Sequence, residues 1–228
     1  MLFQGALDLL FPKVCMSCEA QLHTGEELMC TRCRFDIPEC NWTNPGDNLI
    51  TDKLLGRVPL VYADALLYFE KRNKTQKLIH ELKYKNQEHI SKYLGLWHAE
   101  KLKRNAWTST IDAIIPVPIH AKRKRDRGYN QVEGYTKALC QKLNCEYNDK
   151  LLYRKHYSRT QVFKNRLART GVIEHNFILN PKAVKSNYKH LALADDLITT
   201  GATAEACFIQ LSKLKHIKLS LLVMAVAA

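Results

Sequence analysis

The segment Leu191-Ala192-Leu193-Ala194-Asp195-Asp196-Leu197-Ile198-Thr199-Thr200-Gly201-Ala202-Thr203 constrains this chain more than any other. It reads as an apolar strand, two adjacent acids, and a small hydroxyl-rich loop that opens a helix. In parallel sheets ligands bind outside the carboxyl ends of the strands, and such a block belongs there. Gly201 lets the backbone approach closely. The free N–H groups at the helix start face a phosphate, and the hydroxyls of Thr199, Thr200 and Thr203 add neutral donors. Asp195 and Asp196 stand at the strand end and can accept hydrogen bonds from sugar hydroxyls. The plainer alternative is that Thr200 or Thr203 caps a helix and the acids are solvated. Capping requires neither both acids nor a run of five small residues. No GxxxxGK[ST] follows a strand, so this is not a Walker A loop.

The rest of the chain agrees with an α/β fold. After the turn-rich stretch Asn41 to Gly46, apolar runs of four to eight residues alternate with stretches of helical period. Strands are predicted at Ala65 to Phe69, Ile111 to Val117, Leu191 to Ala194 and Leu219 to Val226. Helices are predicted at Thr75 to Lys85, Ser91 to Arg104, Tyr129 to Leu143 and Thr203 to His216. A length of 228 residues with 46% hydrophobic side chains supports one core without disulfide staples. No window reaches 18 uninterrupted apolar residues, and the N-terminus lacks the flanks of an export signal. We therefore expect a cytoplasmic protein without membrane insertion.

Charge and cysteine usage divide the chain into two parts, 1–48 and 49–228. The net charge is +13, yet residues 1–50 hold three basic against seven acidic side chains, leaving +17 for the remainder. A basic body attracts phosphate-rich partners, whether a small nucleotide-like molecule or a nucleic acid. Five of the eight cysteines fall within the acidic part. Cys15, Cys18, Cys30 and Cys33 form CxxC, eleven residues, CxxC. Two such knuckles complete a tetrahedral S4 shell, which predicts structural Zn²⁺ rather than disulfides or a redox site. A closed shell leaves no open position for substrate. Cys40 lies outside the spacing and is a substitute ligand at most; Cys140, Cys145 and Cys207 read as buried thiols. Ahead of the knuckles, Leu7 to Pro12 suggests a short amphipathic turn.

A second unusual loop follows the strand Ile114-Ile115-Pro116-Val117-Pro118. Lys122, Arg123, Lys124, Arg125 and Arg127 place five cations in six residues, so they are either solvated or paired with phosphate. Gly128-Tyr129 makes a defined turn after Arg127. Lys83 and Lys85 near a helix end, and Arg159 and Arg166 in a basic stretch, are further candidates for pyrophosphate or nucleic-acid contact. Plain surface or structural roles stay open for all four.

The 191–203 block resembles the phosphoribosyl pyrophosphate motif of type I phosphoribosyltransferases, departing only at Ala194, where a larger aliphatic is usual. With the CxxC pairs, Lys83-Tyr84-Lys85, Pro116-Val117-Pro118, Arg127-Gly128-Tyr129-Asn130-Gln131, Arg159-Thr160-Gln161, Arg166 and Asn176-Phe177, nearly the whole chain resembles the ComF/GntX family. That resemblance implies a phosphoribosyltransferase-like, mostly parallel sheet with flanking helices plus a small N-terminal zinc lobe. It also implies that Asp195 and Asp196 bind ribose hydroxyls and that residues 199–203, including Ala202, bind the 5′-phosphate. Mg²⁺ would accompany phosphoribosyl pyrophosphate, and Arg127 would stabilise charge on the leaving pyrophosphate.

Turnover itself is open, because catalysis of this kind needs positioning and electrostatics rather than a protein nucleophile. The sequence offers no Ser-His-Asp or Cys-His arrangement, and His120 reads as solvated or capping. Family resemblance points to natural transformation, with single-stranded DNA and other competence proteins as partners. The rival reading is a non-catalytic DNA-binding scaffold in which Tyr84, Tyr129, Tyr153, Tyr157 and Phe163 stack bases. A zinc adaptor that only recruits a partner is the third.

Overall fold

The computed structural model describes residues 12–82, 87–154 and 177–228. Its centre is a five-stranded, wholly parallel sheet. In chain order the strands are β1 (Leu60–Phe69), β2 (Ala113–Pro116), β3 (Glu146–Tyr147), β6 (His190–Ile198) and β7 (Lys218–Ala227), and in space they run β1-β7-β6-β2-β3. A separate antiparallel pair joins β4 (Leu152–Arg154) to β5 (Phe177–Leu179). The central strands read as near-continuous apolar runs because helices cover both faces. Ala192, Ala194, Leu222 and Met224 point to one core; Leu193, Leu221 and Val223 point to the other.

The first core lies under α3 (Lys74–Glu81), α4 (Glu88–Leu102) and α6 (Glu133–Leu143), and it continues into the cysteine segment through Cys15, Leu28, Met29, Cys33 and Ile37. The short α1 (Thr31–Asp36) belongs to that segment. The second core takes in α2 (Leu49–Leu54), α7 (Ala202–Leu211) and the β4–β5 pair. Among the described residues no helix is long and apolar enough to cross a membrane.

All four predicted strands form, three of them longer than expected. β6 runs through both acids to Ile198, and β1 begins at Leu60. The predicted helices also form, with shifted ends. The one expected from Tyr129 starts at Glu133, because Asn130 is used in a turn: its Nδ2 donates to the Val117 carbonyl (3.1 Å) and its Oδ1 accepts from Val132 N. The helix expected to reach His216 stops at Leu211. The cationic stretch expected as a loop is instead helix α5 (Ala121–Arg127), closed at Gly128 with φ +92°. His120 caps it through Nδ1, which accepts from Lys122 N at 3.1 Å. The predicted turn at Leu7–Phe11 lies outside the described residues, as does the end of the helix expected to reach Lys85.

Helices α4 and α6 cross at two glycines. A Cβ on Gly95 would stand 2.6 Å from the Tyr135 carbonyl and 2.8 Å from Ala138 Cβ. Ser91 Oγ bridges the same crossing, accepting from Tyr135 N (2.8 Å) and donating to the Gln131 carbonyl (2.6 Å). Beneath it lies a buried chain of polar groups. Lys101 Nζ donates to Asp64 Oδ1 at 2.7 Å, His98 Nε2 lies 3.1 Å from the same oxygen, and His98 Nδ1 lies 2.5 Å from the Tyr135 hydroxyl. Burial pushes His98 down and keeps it neutral. Burial acts to raise Asp64, but donation from His98 and the charge of Lys101 outweigh it and hold the carboxylate below its ordinary range. A neutral His98 that donates from Nε2 and accepts the tyrosine proton at Nδ1 satisfies all three side chains.

Gly95→Ala should therefore force the helices apart. Overpacking of this kind costs ~1–3 kcal/mol, roughly 2–12 °C in Tm for a chain this long. Thermal melts of the variant check this, and an unchanged Tm would show that the crossing tolerates a methyl group.

Candidate functional site

The four cysteine sulfurs converge at one end of the molecule. Cys15, Cys18, Cys30 and Cys33 present Sγ atoms that all lie within 4.8 Å of one another, with Cys18 and Cys30 3.7 Å apart. A tetrahedral shell with Zn–S bonds of ~2.3 Å needs sulfurs about 3.8 Å apart, so the set fits a tetrahedral thiophilic ion. The knuckles are held by backbone: Cys15 N donates to Ala20 O, Met16 N to Leu28 O, and Glu19 N to Cys15 O. Burial acts to raise the Cys15 thiol, but backbone donors at Cys18, Cys30 and Ser17 outweigh it and bring it to about 6; burial pushes Cys33 up to about 12. Cys40 is not in the cluster. It is fully buried in the opposite core, its N–H bonded to Leu66 O. Cys140 and Cys207 are buried and Cys145 is partly so.

The cluster is tied to the body by charge. Lys77 Nζ donates to Glu19 (2.6 Å) and to the Ser17 carbonyl (3.2 Å), Lys74 pairs with Asp36 (2.8 Å), and Arg34 lies 3.0 Å over the Trp97 ring. Such half-exposed pairs are individually weak. Their common direction, with acids on the cysteine segment and bases on α3, follows the charge asymmetry visible in the sequence.

At the carboxyl edge of the sheet, Asp195 and residues 197–203 line one pocket, which Asp196 does not enter. Asp195, the loop 199–203 and Val223 of the neighbouring strand line a space of about 320 Å³. Gly201 adopts φ +79°, and a Cβ there would meet Leu54 Cδ2 of α2 at 2.7 Å, so only glycine fits. Thr199, Thr200 and Thr203 are exposed around it. The loop is braced from outside: Arg57 Nη1 donates to the Thr200 carbonyl (2.7 Å) and to Lys53 O (2.9 Å), while Nη2 pairs with Glu205. Sequence reasoning missed Arg57, which no local motif marks. The first amides of α7 have no intrahelical carbonyl to bind and sit at the same loop.

The two acids face opposite sides of the sheet, as neighbours on a strand must. Asp195, 8% exposed, turns toward the α7 side, and Asp196 is half-buried and accepts from Gln131 Nε2 at the start of α6. Asp196 N donates to Asp195 Oδ1 at 2.9 Å. Burial, and secondarily the charge of Asp196, push the Asp195 carboxyl well above its ordinary range, against a smaller pull from Arg154.

The other predicted residues are distributed differently. Lys122, Arg123, Lys124, Arg125 and Arg127 all lie on α5, which buries none of its residues. Among the described residues no hydrogen bond or ion pair joins Arg127 to the 195–203 loop. Lys83, Lys85, Arg159 and Arg166 lie outside the described residues, as do Tyr84, Tyr157 and Phe163. Arg154 was not predicted. It sits on β4, 5.2 Å from the Phe177 ring, with its charge acting on Asp195.

No protein-family model matches the chain. It is similar to curated proteins along most of its length. It is 25% identical over 205 residues to the DNA utilization protein YhgH of Shigella flexneri, covering 86% of this chain and 88% of that one. It is 26% identical over 206 residues to Competence protein F of Haemophilus influenzae, covering 83% and 86%.

The cysteine geometry predicts a single zinc ion per chain by metal analysis, lost in Cys33→Ser. Stripping the metal should lower Tm, and a melt insensitive to chelation would contradict a structural role. Asp195 makes the opposite kind of prediction. A carboxyl raised in the folded state binds more protons there than in the unfolded chain, so stability falls as pH rises from about 4 toward the folded value. Asp195→Asn should accordingly melt higher than the parent at pH ~8, the difference closing near pH ~4. Parallel curves across that range would show that the burial is not costly.

Proposed function

The chain belongs to the ComF family, and we propose that it binds phosphoribosyl pyrophosphate at the loop ending β6 and works in the uptake and use of DNA. The observation that carries the ligand reading is the loop itself, a left-handed glycine flanked by three exposed threonines, directly after two acids and before a helix N-terminus. Backbone amides and hydroxyls of 199–203 suit the 5′-phosphate. Asp196, half-buried and held by Gln131, suits a ribose hydroxyl, and Asp195 precedes it at the strand end. Carboxylate oxygens are hard donors of the kind Mg²⁺ takes, and Asp195 offers one at the pocket; the ion when bound would neutralise pyrophosphate charge. Arg127 and its neighbours on α5 supply cations for the pyrophosphate. The competence and DNA utilization names of the relatives support the cellular role.

If transfer occurs, the chain's part in it is to hold the sugar, exclude water and stabilise the departing pyrophosphate. Zinc in the cysteine shell would be structural. A specific observation favours the DNA-binding scaffold as the second reading: α5 places five cations on a helix with no buried residue, which suits strand phosphates as readily as pyrophosphate.

Saturating phosphoribosyl pyrophosphate with Mg²⁺, at about 100 times its Kd, should stabilise the native state by ~2.7 kcal/mol, or ~5–11 °C in Tm. The shift should vanish when Asp195 and Asp196 are both replaced by alanine. A shift that survives that change refutes the loop assignment. If pyrophosphate release is absent across a nucleobase panel while oligonucleotide affinity falls with log salt, at a slope that flattens when Lys122 to Arg125 are neutralised, the scaffold reading replaces the enzyme.

A further inference from the structure

Two thiols that belong neither to the cysteine cluster nor to the 199–203 loop are brought side by side where α6 meets β3. Helix α6 ends at Leu143, and Asn144 follows in the left-handed conformation at φ +56°. The chain then folds back on the helix: the N–H groups of Asn144 and Cys145 both bond to the Cys140 carbonyl, the second at 3.1 Å. Closure of this kind puts the side chains at its two ends in contact, a place commonly taken by an apolar pair. Here the pair is Cys140 and Cys145, and both pack in the first core.

The two sulfurs differ in setting. Cys140 is 5% exposed, and its proton has two acceptors, the Glu146 carbonyl at 3.3 Å and the Cys145 sulfur. Cys145 is only partly buried, so a small solute can reach it. Contact between the thiols pushes Cys140 up and Cys145 down, which leaves the proton on Cys140 and thiolate character on Cys145. That contact outweighs burial and the charge of Asp112, which oppose an anion at Cys145. The other thiols lack this arrangement. Cys40 and Cys207 are fully buried, and the four N-terminal cysteines converge on one another.

We infer that Cys145 and Cys140 form a reversible redox pair, with Cys145 as the attacking sulfur, Cys140 as the resolving one and a peroxide as the oxidant. The Cys145 thiolate bonds to one peroxide oxygen as the O–O bond breaks, and the departing hydroxide takes a proton from solvent to become water. Cys140 then bonds to the Cys145 sulfur as the S–O bond breaks, and the hydroxyl leaves with the Cys140 proton as a second water. The dithiol loses two electrons and the peroxide gains them. Cross-linking also takes from Glu146 the bond that Cys140 gives it, so the modification acts on the junction of α6 with β3, the two-residue strand at the edge of the sheet. The pair stands apart from the ligand proposed at 199–203.

The experiment treats the full-length protein with rising hydrogen peroxide, quenches in acid, blocks the free thiols and digests with trypsin. Lys142 lies between the two cysteines, so a disulfide joins the peptides Ala138–Lys142 and Leu143–Lys150. Their linked mass should fall about 2 Da below the sum of the two, the hydrogens lost on oxidation, and a thiol reductant should part them. The linked peptide should appear at doses that leave Cys15, Cys18, Cys30 and Cys33 unoxidised, and it should be absent from Cys140→Ser and Cys145→Ser. Cys140→Ser should accumulate a sulfenic acid at Cys145 that dimedone captures, whereas Cys145→Ser should yield none at Cys140. If both thiols stay free at the dose that oxidises the N-terminal cluster, the pair is overturned. Capture at Cys140 rather than Cys145 would overturn the assignment of attacking and resolving sulfur.

Discussion

A strand buried on both faces can offer polar chemistry only where it leaves the sheet, and β6 does so at Asp195 and Asp196. Up to Ala194 every side chain of that strand is enclosed. The next residue is a carboxyl that burial, and secondarily the charge of its neighbour, push well above its ordinary range. Placing an acid there is unfavourable to the folded state in isolation, and the surroundings are arranged around it. Gln131 donates to its partner, Arg154 lends a distant positive charge, and the 199–203 loop is locked by Leu54 and Arg57 before any ligand arrives. Such preorganisation moves the conformational cost of binding into folding.

The features legible in the sequence are those in which spacing alone dictates geometry. Two CxxC pairs bring four sulfurs together because each knuckle is short, and Thr-Thr-Gly after the strand announces a loop because glycine and clustered threonines break regular structure. Apolar runs located β1, β2, β6 and β7. What stayed hidden depended on distant partners. The α5 stretch lacks apolar periodicity, so nothing in its local pattern marks a helix; His120 and Gly128 cap it at either end. The opposed facing of Asp195 and Asp196 comes from strand pairing with β7 that continues past them to Ile198. Arg57 acts on a carbonyl 143 residues away, and Arg154 reaches its place through a two-strand pairing too short to show as a pattern.

The cysteine segment is acidic and the body basic, yet their apolar residues form a continuous cluster. Cys15, Leu28 and Met29 pack with Leu78, Ile79 and Leu94. A cysteine knuckle that contributes core side chains is more than an appendage. Its loss would open the face on which α3 and α4 rest, even though the 199–203 loop lies on the other side of the sheet.

The order of the strands carries one more implication. β7 follows every other strand of the sheet in the sequence, yet it sits between β1 and β6 and pairs with both along almost its full length. During synthesis, then, strand β1 and the β6-β2-β3 partial sheet have bare hydrogen-bonding edges until β7 threads between them. A chaperone meeting this chain before termination would find adhesive edges on both sides of the gap.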